Sequence, residues 1–436
     1  MRSIFYLLAL TATSLAGDPQ KILKQPLRQI AEYYHLPPLR EQAAIQDKWT
    51  KERIDNVPAI LNKYGVDAWL MSQKEYAEDT VFWSLKSAKQ FSARRRTVNL
   101  FIANPTKGTP SSYSWIDNTP EVWSDILEVL ESQNPSKIAI NADESSAFSG
   151  GLHVGELGIL QSQLGKWAKR FVVERMVAIE FVGTMVPGRL EWYEKLQHTA
   201  WAMISEGFSS KVIVPGVTRT EDVEWWLRDK IQQMNYTTWF HPDVSILGEK
   251  SPFEITESPV INYGDLLHVD FGVTAMGMNT DTQHMAYVLR PGETDSDIPV
   301  GYLEGLKQVN RLQDIVKGYM VPGATGNSVL EKSLNKMRAE GFDGRVYCHP
   351  IGDWGHAAGA LIGMFNLQEG VSVLGEVPLL KQSYFSVELY AEHFVPERNL
   401  TMNFFLEEDV RWDEKTQQWV WVVGRQEKFH LIHPAK

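Results

Sequence analysis

Leu267, Val269, Phe271 and Val273 alternate with His268, Asp270 and Gly272, a period of two that predicts a strand with one apolar face. A second strand-like run follows Gly277, over 281–289. Together they predict a hairpin with its turn near Ala275 and Met276, which would set Asp270 opposite Asp281. Facing cross-strand residues have Cβ atoms roughly 5 Å apart, and like charges there repel. The flanks are too apolar for an exposed hairpin. A buried carboxylate pair of this kind needs a cation or a shared proton.

Before this hairpin the periodicity alternates. Residues 49–64 read as an amphipathic helix and 67–71 as a short strand. Further strands are expected at 97–103 and 137–141, with helices at 121–131 and 154–167. Strands alternating with helices indicate an α/β domain. Its end is placed near Met185-Val186-Pro187-Gly188. A long helical pattern covers 189–211 and stops at Val214-Pro215-Gly216. Thr218-Arg219-Thr220-Glu221 fits a capping box opening the next helix. From Leu266 onward strands dominate, so the second half reads as α+β. The domains expected are 17–188 and 189–436.

Composition adds a compartment. Residues 1–17 carry Arg2, an apolar stretch from Ile4 to Ala12, and Ser14-Leu15-Ala16. This predicts a signal peptide, residues 1–16, cleaved after Ala16, and a secreted or extracytoplasmic protein. The net charge is −11, or −12 after cleavage removes Arg2. An acidic balance argues against nucleic acid or an anionic membrane as partner. Cys348 is the only cysteine, so the chain forms no internal disulfide. Cys348-His349 is a poor thiol dyad, because adjacent strand residues point to opposite faces. Asn235 and Asn399 open glycosylation sequons.

Three more positions extend the aspartate pair. His356 lies in a glycine-rich stretch, Gly352-Asp-Trp-Gly-His-Ala-Ala-Gly359. Glu388 interrupts the apolar strand pattern Tyr384-Phe-Ser-Val-Glu-Leu-Tyr390. Glu407 follows Leu406 in Asn403-Phe-Phe-Leu-Glu-Glu-Asp409. Singly, each has an ordinary explanation as a packed histidine or a solvent-facing acid. Jointly, four carboxylates and an imidazole suit two divalent metal ions, whose charge cancels the formal −4. Oxygen-rich ligation favours Mn²⁺, with Co²⁺ or Zn²⁺ next by affinity order.

The ordered set HVDFG, Asp281 eleven residues on, GHAAG, SVEL and LEEDV resembles the pita-bread metallopeptidase superfamily of aminopeptidase P, prolidase, methionine aminopeptidase and creatinase. The resemblance is loose over the N-terminal α/β domain and closer over 189–436. It implies an α/β creatinase-like domain followed by an α+β pita-bread catalytic domain. It further implies that Asp270 chelates one metal, Asp281 and Glu407 bridge, and His356 and Glu388 hold the second. Glu388 would also shuttle the proton of the attacking water. Two ions about 3.5–4 Å apart can activate a shared water and polarise a carbonyl. The implied activity is hydrolysis of a peptide or small amide by an aminopeptidase P or prolidase-like enzyme, and the implied assembly a homodimer.

Departures from that pattern bear on specificity. A substrate histidine expected about seventeen residues before Asp270 is Phe253 here. Another, expected seven after His356, is Gly363, and an arginine expected two before Glu407 is Phe405. His349 is the candidate replacement for substrate binding, and His268, on the face of Asp270, for support behind the metals. Two other readings remain open: a metal-free creatinase-like C–N hydrolase, and a pita-bread domain kept for binding alone.

Overall fold

The computed structural model describes residues 32–248 and 258–434. The segment 1–16 and Phe253 lie outside the described residues. Strands β1 (Ala68–Lys74), β2 (Arg96–Ile102), β3 (Ser112–Ile116), β4 (Ile138–Ala139) and β5 (Phe171–Val172) form one sheet in the order β3-β2-β1-β4-β5. The β1–β2 and β2–β3 pairs are antiparallel, whereas β4 and β5 continue from β1 in parallel. Alternate residues bury opposite faces. Ala68 and Leu70 pack with Val122, Ile126 and Leu130 of the helix Glu121–Gln133. Trp69 and Met71 pack with Val57 and Leu61 of the helix Leu39–Lys63, and with Phe181 of the helix Arg175–Gly183. The result is a helix–sheet–helix sandwich. The helix Leu39–Lys63 starts ten residues before its expected position, directly after Pro38.

The second sheet contains nine strands: β6 (Asp243–Ile246), β7 (Leu266–Asp270), β10 (Gln283–Val288), β11 (Gly344–Val346), β12 (His349–Ile351), β13 (Tyr384–Val395), β14 (Leu400–Asp413), β15 (Gln418–Trp421) and β16 (His430–Ile432). Its main path is β11-β13-β14-β10-β7-β6. Leu267, Val269, Ala286 and Val288 pack with Leu196, Ala200 and Met203 of the helix Leu190–Gly207. Val387, Leu389 and Leu406 pack with Val309, Leu312 and Val316 of the helix Val300–Tyr319. Because side chains alternate along each strand, this packing leaves Asp270, Gln283, Glu388 and Glu407 on the other face. No described helix is long and apolar enough to cross a membrane.

Two local expectations move by small steps. The helix after Thr218 begins at Thr220, and the backbone N–H of Arg219 donates to Asp222 Oδ2 at 2.8 Å. The hairpin turn falls one residue later than expected, at Met276-Gly277, between the short strands β8 (Thr274–Ala275) and β9 (Met278–Asn279). Both turn residues have positive φ, 52° and 70°, as a two-residue hairpin turn of this hand requires, and glycine takes that conformation most readily. Moving the turn by one residue moves the register by two. Asp270 therefore pairs with Gln283 rather than Asp281, and Asp281 precedes the strand.

Candidate metal centre

A single line crosses the second sheet through the register pairs Glu388↔Glu407, Glu407↔Gln283, Gln283↔Asp270 and Asp270↔Asp243. Adjacent strands lie about 4.7–4.9 Å apart, so the pairing alone brings four acids and one amide into a row. Asp281, two residues before Gln283, joins from the same side. The ligand-type atoms form two overlapping groups, each within 4.8 Å: Asp281, His349 and Glu407, and Asp270, Glu388 and Glu407. Glu407 belongs to both. Glu408 points the other way, its carboxyl beside His284 Nε2 at 2.7 Å and accepting from Trp201 Nε1 at 3.2 Å.

The imidazole placement differs from expectation. The resemblance implies a metal role for His356 and leaves substrate binding to His349. In the structure β12 pairs with β13 at His349↔Ser386, which puts His349 on the acid-bearing face. Its Nε2 lies 3.4 Å from Glu407, 3.7 Å from Asp281 and 4.0 Å from Glu388. Nδ1 lies 2.9 Å from the Pro350 carbonyl, which can only accept, so Nδ1 carries the proton. Nε2 then faces the acids, where it can take a metal ion as the neutral ring. His356 follows in the loop and is exposed; its ring sits edge-on to His349 at 4.6 Å and to Trp239 at 5.0 Å. The glycines around it signalled close backbone packing, not proximity to the carboxylates.

Electrostatics fits a cation. Burial first, then Glu407 and neighbouring acids, pushes the carboxyls of Asp270 and Asp281 well above their usual range. Glu388 is raised by the same causes, against a hydrogen bond from Gln283 that opposes the shift. Buried Asp270 Oδ1 and His349 Nε2 have no hydrogen-bond partner. Unpaired acceptors in a crowded acidic site are costly without a cation or proton between them. The donor set of Asp281, His349 and Glu407, two carboxylates and a correctly tautomeric imidazole, fits a divalent ion.

Ser386, Tyr193 and Gln283 support the acids and carry no signal of their own in the sequence. Ser386 Oγ donates to Glu407 Oε1. Tyr193 OH donates to Asp409 Oδ2 at 2.9 Å, and the same oxygen accepts from the Asp281 backbone N–H at 3.4 Å. Gln283 donates its amide to the acid row, while His268 Nε2 holds the amide oxygen at 2.8 Å. His268 thus lies behind the row, one residue removed from the carboxylates. Strand parity with Asp281 was the available signal for Gln283. Cys348 donates to the Glu388 carbonyl at 3.4 Å, and burial raises its thiol pKa, which disfavours the nucleophilic thiolate. Phe405 is fully buried between the rings of His268 and Tyr390. A Cβ at Gly363 would meet the Val346 carbonyl oxygen at 2.2 Å, so no imidazole fits there.

No family model and no curated protein matches this sequence. Solved structures do match. An X-Pro aminopeptidase from Thermotoga maritima is 15% identical, with a TM-score of 0.58, over 86% of this chain and 99% of that one. An Xaa-Pro dipeptidase from Bacillus anthracis is 13% identical, with a TM-score of 0.56, over 88% and 99%. An Escherichia coli aminopeptidase P variant is 13% identical, with a TM-score of 0.57, over 86% and 94%. The architecture is therefore the two-part pita-bread fold, with mixed α/β content. At these identities the likeness establishes the fold.

Proposed function

We propose that this chain is a metal-dependent hydrolase of the aminopeptidase P and prolidase type, acting on a peptide or amide bond. The observation that carries the reading is the convergence of Asp270, Asp281, Glu388, Glu407 and Nε2 of His349 on one sheet face. Asp281, His349 and Glu407 would hold a divalent cation, Mn²⁺ by ligand type, and the overlapping group Asp270, Glu388 and Glu407 offers a second position. When bound, such ions supply Lewis-acid polarisation of a carbonyl and a lower pKa for water. Glu388 would accept the proton of the attacking water and pass it to the leaving amine.

His356 takes the substrate-facing role. It is exposed and stands over His349, and seven residues separate the two, the spacing the resemblance expects between a metal histidine and a substrate histidine. Its ring can donate one hydrogen bond to a substrate carbonyl. His349→Ala should lose bound metal and activity together. His356→Ala should keep the metal while turnover falls by roughly 10²–10³-fold, the effect of removing one oxyanion donor. Metal analysis beside steady-state kinetics checks this; metal loss in the His356 variant with retention in the His349 variant would restore the original assignment.

Specificity should differ from that of a prolidase. The apolar Phe405 leaves that position unable to anchor a substrate carboxylate. A cation there would make a charge-assisted bond worth roughly 1.5–3 kcal/mol. Activity on a dipeptide and tripeptide library should be chelator-sensitive, and weaker on short Xaa-Pro dipeptides than on longer peptides. Efficient cleavage of Xaa-Pro dipeptides would contradict the specificity reading, and full activity after chelation would contradict the metal reading.

A further inference from the structure

Gln283 stands where one of two metal ions would lie. Its backbone is fixed in the middle of the acid row by register with Asp270 on one side and Glu407 on the other. Its side chain is fully buried. Nε2 donates to Glu388 Oε1 at 2.6 Å and Glu407 Oε2 at 2.8 Å, and lies 3.4 Å from Asp270 Oδ2. These are the three residues of the second ligand group. A divalent ion bound to the same oxygens needs distances of about 2.0–2.6 Å. The nitrogen and the ion cannot share that space.

The amide is held in this orientation from behind. His268 Nε2 meets Gln283 Oε1 at 2.8 Å, and an amide oxygen only accepts, so Nε2 carries the proton. Nδ1 of His268 is then free to accept from Ser245 Oγ at 3.4 Å. Turning the amide over would set its oxygen against three carboxylates and two N–H donors face to face. The relay from Ser245 through His268 to Gln283 therefore aims the amide hydrogens at the acids.

We propose that Gln283 replaces the second cation, so that the protein holds one divalent ion, at Asp281, His349 and Glu407, with the amide taking the position between Asp270, Glu388 and Glu407. The inference rests on the metal-dependent reading above and narrows its expected two ions to one. The amide satisfies lone pairs of the row without adding charge. The retained ion faces the unpartnered Nε2 of His349, which the amide does not reach.

Metal stoichiometry of the full chain tests this. Protein stripped with chelator and dialysed against Mn²⁺ should bind one ion by mass spectrometry of the metal and by calorimetry. Gln283→Ala opens the position and should raise the count to two. Gln283→Glu, which preserves shape and adds a ligand oxygen, should do the same and guards against misfolding of the alanine variant; circular dichroism confirms each fold. Two ions in the wild type would overturn the inference and leave the metal reading standing. One ion in the wild type and still one in both folded variants would overturn it too. No ion in the wild type would overturn both, and point instead to metal-free hydrolysis or binding alone.

Discussion

Glu407→Ala should abolish hydrolysis and weaken metal binding by more than about 100-fold, since groups that merely support a ligand already cost 10–100-fold when removed. Glu407 is the one carboxylate common to both ligand groups. It also accepts from Ser386 and Gln283, so its loss strips the row of its centre. Glu408→Gln is the control. That residue is equally buried and adjacent in sequence, but it faces His284 and Trp201 instead. Burial, then Asp409, raises its carboxyl pKa, favouring the neutral form, so the amide is a mild change. Glu408→Gln should keep its metal. Titration of both variants with Mn²⁺, read by calorimetry, decides the matter; metal loss in the Glu408 variant alone would assign the wrong member of the Glu-Glu pair.

Asp353→Ala should cost about 3–5 kcal/mol of stability, the range for breaking a buried ion pair and leaving charge unpaired. Asp353 lies in the loop between His349 and His356, and its two oxygens receive Arg53 and Arg189. All three side chains are at most 5% exposed, so solvent screening is weak. Arg53 comes from the helix Leu39–Lys63 and also donates to the Ser84 carbonyl at 2.5 Å, which ties the first sheet's layer to the loop. Burial alone would raise the Asp353 pKa; Arg189 and Arg53 outweigh it and hold the carboxyl below its ordinary 3.8. A carboxyl depressed in the folded state stabilises at pH above its unfolded value, and that contribution is lost as pH falls through the folded value. Urea unfolding at pH 7 should show the full deficit of the variant, and the gap to wild type should narrow in acid below 3.8. A difference under about 1 kcal/mol at pH 7 would mean that the two arginines find other partners.

Much of the fold follows from period alone. The alternation through Leu267, Val269 and Phe271 assigns their strand, and the same alternation around Val387 and Leu389 puts Glu388 on a shared face with Glu407. Acids interrupting apolar strands were conspicuous, and four of them converge. Register was less legible. A two-residue turn with positive φ at both positions favours Gly277, and placing the turn one residue early misaligned Asp281 with Asp270. The placement of His349 beside the acids has a similar origin. His349 is bracketed by apolar or ordinary neighbours and owes its place to pairing with β13, a contact between residues 37 apart in sequence. Local glycine content pointed to His356 instead. Gln283 carries no sequence signal of its own, and only the sheet reveals that it stands between acids from two neighbouring strands.

Anomalous diffraction from crystals grown with Mn²⁺ is the most direct measurement of the central claim, that the buried carboxylate row and His349 hold a divalent cation. The expected result is an anomalous peak coordinated by Asp281, His349 Nε2 and Glu407, with Gln283 still lying between Asp270 and Glu388. A row without anomalous density at saturating Mn²⁺, or an ion held by His356 instead of His349, would contradict it.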